Sequence, residues 1–375
     1  MILKITFDVN KKEKKPKTIK LSIILSMTLS IAIIIAILYF TIDETTINTL
    51  MSTKINYGFF VLAVLLNILF WIFWATRMRI LANSMDKHLN ISIWESTKIV
   101  ITNMFLASIT PSMAGGEPVR IYLLNKDGMS FGCATAAVLG ERLLDAAFIL
   151  LMVPFAFFIF KDLPGLQQHP EISVALQIGV AVFIIFLISF IYAIANPEKT
   201  KKFLIYINKK LSRFSKKKEK THKAIERICK EVDNFSRSIF IFTKDKKSLI
   251  LASLATIVLW STGFIVPSLV LMGLGFPPYF LESYFAQVLV VVIIMMPTTP
   301  GSAGVAEGSL LLLYGVIIGS TTNPLLGVFI LLYRFITFHM NFIAGAIFMQ
   351  RIFKSVASFS MDMVKKKDET LGGKK

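Results

Sequence analysis

The sequence predicts an all-α, polytopic membrane protein with about eight membrane segments, built as two inverted repeats that each contain a helix pair broken by Pro and Gly. Three observations lead there. Hydrophobic residues make up 55 % of the 375 residues and the mean hydropathy is +0.67, whereas an ordinary soluble domain holds about 45 to 50 % apolar residues. Uncharged stretches run over Leu21–Ile42, Ile55–Thr76, Ile172–Pro197, Ser248–Leu281 and Gly308–Tyr333, and each reaches the roughly 20 residues needed to cross a hydrocarbon core of about 30 Å. Finally, two apolar runs are interrupted in the same order, by TPSMAGGEP at 110–118 and by PTTPGSAGVAE at 297–307.

Charge orients the chain. The net charge of +18 does not point to nucleic acid, because residues 1–20, 196–247 and 351–375 carry +5, +11 and +4, more than the whole surplus. The stretches 41–56 and 161–171 each hold one Lys against two acids, and 273–282 holds only Glu282. Lys and Arg concentrate in cytoplasmic loops, so both termini and the 196–247 loop are expected in the cytoplasm of a multi-pass cell-membrane protein. That basic surface is also expected to meet an anionic lipid surface. The lysines before Leu21 would equally suit a signal peptide, but the apolar run is too long for an h-region and no small-x-small cleavage site follows. Cys133 falls in a membrane segment and Cys229 in the cytoplasmic loop, so no disulfide is implied.

The elements follow in order. Residues 1–20 form a basic cytoplasmic N-terminus, 21–350 the transmembrane domain, and 351–375 a basic cytoplasmic tail. Leu21 to Phe40 goes out and Tyr57 to about Thr76 returns, ending at the basic Arg77-Met78-Arg79. A segment from about Trp94 to Thr110 is broken by Pro111 and Gly115-Gly116 and followed by Arg120 and Lys126, so it enters and leaves on one side, either as a re-entrant hairpin or as two joined helices. Phe131 to Phe160 goes out, Ile172 to Ala195 comes in, and Ser248 to about Gly273 goes out. A second broken pair, Glu282–Pro297 and Ser302–Gly319, precedes the last span, Leu325–Gln350. In the cytoplasmic loop Ile225, Ile228, Val232, Phe235 and Ile239 recur at helical spacing among charges, which suits an amphipathic helix on the membrane as well as an ordinary cytoplasmic hairpin.

The two interruptions share a register. Pro111 and Pro300 are 189 residues apart, as are Trp71 and Trp260, and Trp94-Glu95-Ser96 matches Leu281-Glu282-Ser283 at an offset of 187. Arg142 and Arg334 follow their Ala-Gly at similar intervals, 27 and 30 residues. Four landmarks in order favour a duplication, with repeat one at about 57–160 and repeat two at about 248–350. The first unit starts at the outer face and the second at the inner, so they are inverted. Inverted repeats with discontinuous helices place substrate sites near the midplane at the repeat interface, because non-helical backbone is tolerated at membrane depth only where protein or a water-filled cavity covers it.

Intramembrane charge sharpens the reading. Arg142 lies about 14 residues beyond Gly128 and Arg334 about 10 beyond Pro324, roughly 15 to 20 Å into each helix. Burial there is costly unless paired. One reading is structural: Arg142 neutralised by Asp145, Glu141 or Glu117, and Arg334 by Glu307. The other is functional: two arginines and two helix N-termini around one cavity suit a phosphate, which accepts bidentate guanidinium bonds. Lys98 reads as a rim or pairing residue, His339 as a satisfied bundle histidine, and Trp71, Trp74 and Trp260 as interface or packing aromatics. No DxD, HExxH, GxSxG or Walker sequence occurs, so no catalysis, metal or cofactor is expected.

At TPSMAGGEPVR, ERLLD and PTTPGSAGVAE the chain resembles the membrane domain of lysylphosphatidylglycerol synthase, the flippase-like family, over about residues 20 to 350. The resemblance implies a translocase that moves an anionic or modified lipid between leaflets. It also implies substrate-binding roles for Glu117, Arg120, Glu141, Arg142, Asp145, Glu307 and Arg334. Helix-break roles are expected for Thr110, Pro111, Gly115, Gly116, Thr299, Pro300, Gly301 and Gly304. The C-terminal tail is only about 25 mostly polar residues, so the synthase activity is not expected to transfer. The expected partners are therefore membrane lipids, with a separately encoded lipid-modifying enzyme as a candidate neighbour. A secondary transporter of a small soluble anion and an accessory subunit of a lipid-modifying glycosyltransferase are the alternative readings.

Overall fold

The computed structural model describes residues 44–86, 90–108, 116–161, 196–212, 244–294, 299 and 301–348, with isolated positions between 174 and 192. The expected Leu21–Phe40 span, most of the return over 172–195, the 225–239 helix and both terminal basic segments lie outside those residues. Among the described residues every regular element is helical. They are α1 (Glu44–Ser52), α2 (Tyr57–Met85), α3 (Ile93–Ser108), α4 (Gly116–Lys126), α5 (Phe131–Phe160), α6 (Pro197–Ser212), α7 (Lys246–Gly273), α8 (Phe280–Ile294) and α9 (Val305–Ile318). The last, α10 (Pro324–Phe348), is α-helical to Arg334 and π-helical over Phe335–His339.

Four of these, α2, α5, α7 and α10, are long and apolar enough to cross a bilayer. Each opens on a short polar residue that caps the first turn. Asn56 accepts from Gly58 N–H at 3.1 Å, Ser130 from Cys133 N–H at 3.2 Å, Asp245 from Ser248 N–H at 3.2 Å and Asn323 from Leu325 N–H at 3.0 Å. Such caps satisfy donors that a helix start leaves orphaned. Outward Leu65, Ile72, Leu254 and Ile257 are exposed, as a lipid-facing surface requires. The helices α3, α8 and α9, with 16, 15 and 14 residues, extend only about 21 to 24 Å. They pack as broken pairs, α3 against α4 and α8 against α9, each short of a full crossing.

Two expectations are corrected. Residues 44–52, read as part of a loop, form α1, whose Thr46 hydroxyl donates to Pro324 O at 3.3 Å. The helix that begins at Tyr57 does not end at Arg77 but runs on to Met85 with Arg77 buried. A positive charge marks a membrane border only when water must solvate it; here buried carboxylates do so instead.

Contacts set the directions. Asn56 N–H donates to Gly273 O at 3.0 Å while Arg77 donates to Thr256 at 3.2 Å, so α2 and α7 run antiparallel. Asn67 reaches Ile336 O and Trp71 reaches Asn341, both at 2.9 Å, so α10 runs parallel to α2. Trp260 bonds Asp145 at 2.8 Å and Phe264 meets Phe148, so α5 runs parallel to α7. One apolar core gathers Ala75, Met78, Leu81, Val100, Leu124 and Ala134 around α3 and α4. A second gathers Ile149, Val153, Leu271, Val288, Leu313 and Phe329 around α8 and α9. They occupy opposite ends of the long helices, and a polar layer lies between them.

Candidate functional site

That layer begins with the two predicted arginines. Arg142 stands about 16 Å along α5 and Arg334 about 15 Å along α10. Each meets a carboxylate from the first turn of the helix after its own interruption: Arg142 Nη2 lies 2.5 Å from Glu117 Oε1, and Arg334 Nε lies 2.7 Å from Glu307 Oε1. The second pair is the more tightly held. Arg334 also donates to Gly301 O at 3.4 Å and lies 4.2 Å from the Phe338 ring centroid, and Glu307 accepts the Gly304 N–H at 2.6 Å. The positive end of α9 is therefore already occupied by a side chain of the protein.

Arg120, Glu141 and Asp145 are elsewhere. Arg120 pairs with Glu141, and Arg77 bridges Glu141 and Asp145, with Arg77 Nε 3.2 Å from Glu141 Oε1. All four are at most 2 % exposed. Thr256 accepts from Arg77 and the Trp260 indole N–H donates to Asp145, so both carboxylates are satisfied by protein groups. Arg142 links this network to the exterior pair through Asp145 at 3.6 Å.

The second interruption reaches the end of α3. Thr110, Pro111, Gly115 and Pro300 lie outside the described residues. Thr299 bonds Ala303 O at 2.5 Å in the turn that leads into α9, and Gly301, Ser302 and Gly304 adopt φ of +64°, +54° and +85°. A Cβ on Gly301 would come within 2.9 Å of Ser108 O, at the end of α3, and 2.8 Å of the Phe338 ring. Gly116 is similarly required, because a Cβ there would sit 2.1 Å from Asn103 Oδ1.

Between the halves lies a cavity of about 420 Å³. From the first half Asn67, Phe70, Trp74, Asn103, Glu117 and Arg142 line it; from the second come Trp260, Phe264, Gln287, Leu310, Tyr333 and Arg334. Arg120, Glu141, Asp145 and Glu307 do not reach its wall. Among the predicted residues, then, Arg142, Arg334 and Glu117 share the cavity and the others stand behind it.

Several functional groups escaped the sequence reading. Arg77 looked like a border charge. Asn67 and Asn341 join α2 to α10, with Asn67 Nδ2 donating to Asn341 Oδ1 at 2.9 Å. Tyr333 donates to Gln287 at 2.7 Å, and Gln287 to Tyr314 at 2.9 Å. The tryptophans are more than packing: Trp71 of α2 bonds Asn341 of α10, and Trp260 of α7 bonds Asp145 of α5, each at 2.9 or 2.8 Å. Their matched spacing of 189 was the available signal. His339 is satisfied as expected, against Arg334 O at 3.1 Å, and Lys98 lies over Trp94 at the rim. No cluster of His, Cys, Asp and Glu among the described residues is arranged to hold a metal ion.

Comparison with known proteins places this architecture. The family model for the lysylphosphatidylglycerol synthase TM region matches residues 27–345. A UPF0104 membrane protein of Archaeoglobus fulgidus is 34 % identical over 315 residues, covering 83 % of this chain and 91 % of that protein. Two UPF0104 membrane proteins of Methanothermobacter thermautotrophicus are each 24 % identical, over 267 residues (69 % of this chain, 74 % of that protein) and 223 residues (58 % and 63 %). Since the matched span takes in both broken helix pairs together with Arg77, Arg120, Arg142 and Arg334, the chain belongs to the family of the lysylphosphatidylglycerol synthase transmembrane region.

Proposed function

We propose that this protein is a non-enzymatic lipid translocase of the cell membrane, with cytoplasmic termini and two inverted repeats, that moves a lipid with a phosphate-bearing head between leaflets. The observation that carries the reading is the cavity between the two halves, at mid-helix depth, into which Arg142 and Arg334 both face with a carboxylate beside each. A guanidinium held by a carboxylate is protected from desolvation while the site is empty, and it can exchange that partner for a phosphate oxygen. The antiparallel course of α2 and α7 and the reciprocal bonds of Trp71 and Trp260 support the inverted repeat. So do the matched positions of the interruptions, which suit alternating access about a fixed site.

A volume of about 420 Å³ lies within the range of roughly 300 to 1,000 Å³ that holds small ligands. A headgroup fits, and the chains of a lipid would leave between helices. The same size supports a second reading, transport of a small soluble anion. Leaflet exchange of fluorescent anionic, zwitterionic and polyprenyl-phosphate lipids in vesicles containing the purified protein separates them. The proposal expects exchange of phosphate-bearing lipids that Arg142→Ala and Arg334→Ala both lose while remaining inserted. Lipid exchange that persists in the double variant overturns the site. Uptake of soluble phosphate without lipid exchange favours the second reading.

A further inference from the structure

The two walls of the cavity differ in what they leave unbonded. On the first-half wall the Trp74 Nε1–H and Arg142 Nε–H are enclosed without a partner among the described residues, as is Asn103 Oδ1 on a side chain only 1 % exposed. Directly behind Trp74, the wholly buried Arg120 lies 5.5 Å from its ring centroid with Nε and Nη2 also unpartnered. An enclosed donor without an acceptor costs free energy that a ligand acceptor can recover. On the second-half wall Arg334 is spent on Glu307, Gly301 O and the Phe338 ring, the polar Gln287, Tyr333, Thr337 and Asn341 are bonded to protein groups, and Val290, Val291 and Leu310 supply an apolar surface. Exposure agrees, since the Arg142 side chain is 34 % exposed and that of Arg334 only 8 %.

We propose that the ligand lies across the cavity in one sense. Its phosphate oxygens accept from the Trp74 indole and from Arg142 on the first-half wall, and its apolar chain lies on Val290, Val291 and Leu310 of the second. This rests on the phosphate-lipid reading and adds polarity to it: Trp74 becomes a specificity residue, and Arg334 keeps its intramolecular partners when the headgroup first docks.

The test uses the full chain in phosphatidylcholine nanodiscs. Binding of dihexanoyl phosphatidic acid with a diazirine in one chain, and of inorganic phosphate, is measured for wild type, Trp74→Phe and Trp94→Phe. The expected result is about tenfold weaker binding of both probes in Trp74→Phe, equivalent to ~1.4 kcal/mol. Trp94→Phe, at the exposed rim, should match wild type, and the photolabel should fall on α8 and α9. Equal affinity for Trp74→Phe, or label on α2 to α4, overturns the orientation while leaving a phosphate-lipid site intact. If wild type binds phosphate alone, the chain placement falls and the soluble-anion reading gains. If it binds neither probe, the phosphate reading and this one fail together.

Discussion

In the first half, Arg77, Arg120 and Arg142 meet Glu117, Glu141 and Asp145 around α5, whereas in the second half Arg334 and Glu307 stand as one pair. At the repeat offsets of 189 to 192, the counterparts of Arg77, Arg120, Glu141 and Asp145 are Val266, Leu310, Tyr333 and Thr337. All four counterparts line the cavity. The first half is therefore filled by a buried ionic network, whereas the matched positions of the second half carry apolar and hydroxyl side chains that border the cavity. Buried ion pairs stabilise little in net terms, so the network is better understood as fixing α2, α4 and α5 relative to one another. The cavity is then built against that rigid wall.

The comparison breaks most visibly at Arg77. Arg77→Leu takes away the cation that bridges Glu141 and Asp145, and removing one partner of a buried pair costs about 3 to 5 kcal/mol, so thermal unfolding in detergent should show the largest loss of any single variant. The paired replacement Arg334→Leu with Glu307→Leu leaves no buried charge and should unfold much closer to wild type, although leaflet exchange is lost. A network no more sensitive than the single pair would refute the division of labour.

Next come the two tryptophans. Trp260→Phe removes a donor from a carboxylate and Trp71→Phe one from an amide, and hydrogen bonds to charged groups contribute about 1.5 to 3 kcal/mol against about 0.5 to 1.5 for neutral ones. Chemical denaturation should rank Trp260→Phe as the more damaging; the reverse order would mean that Asp145 draws little from its neighbours. At the interruptions, Gly301→Ala forces a Cβ into φ +64° beside Ser108 O, which should cost on the order of 1 to 3 kcal/mol in strain and slow exchange in vesicles. The smallest effect belongs to the rim. Ser92 and Glu95 form a reciprocal cap at the start of α3, with Ser92 N–H to Glu95 at 3.1 Å and Glu95 N–H to Ser92 at 3.2 Å. Ser92→Ala should lower stability by about 1 kcal/mol with exchange unaltered.

Hydropathy and charge determined the membrane class and the approximate course of the helices, because a bilayer imposes length and polarity on each segment separately. Phe131–Phe160 could be read to the residue, and the short broken pairs to within a few. Glu307 was likewise legible as the partner of Arg334, whereas Glu117 was one of three candidates for Arg142, beside Glu141 and Asp145. Tertiary structure alone decided which charges face the cavity. Glu141 and Asp145 lie one helical turn apart beside Arg142, and nothing local separates them; they are enclosed because Arg77, over 60 residues away, and Trp260, over 100 residues away, meet them there. Charge complementarity between distant helices is invisible to periodicity, and it turned an apparent membrane-border arginine into the centre of the core.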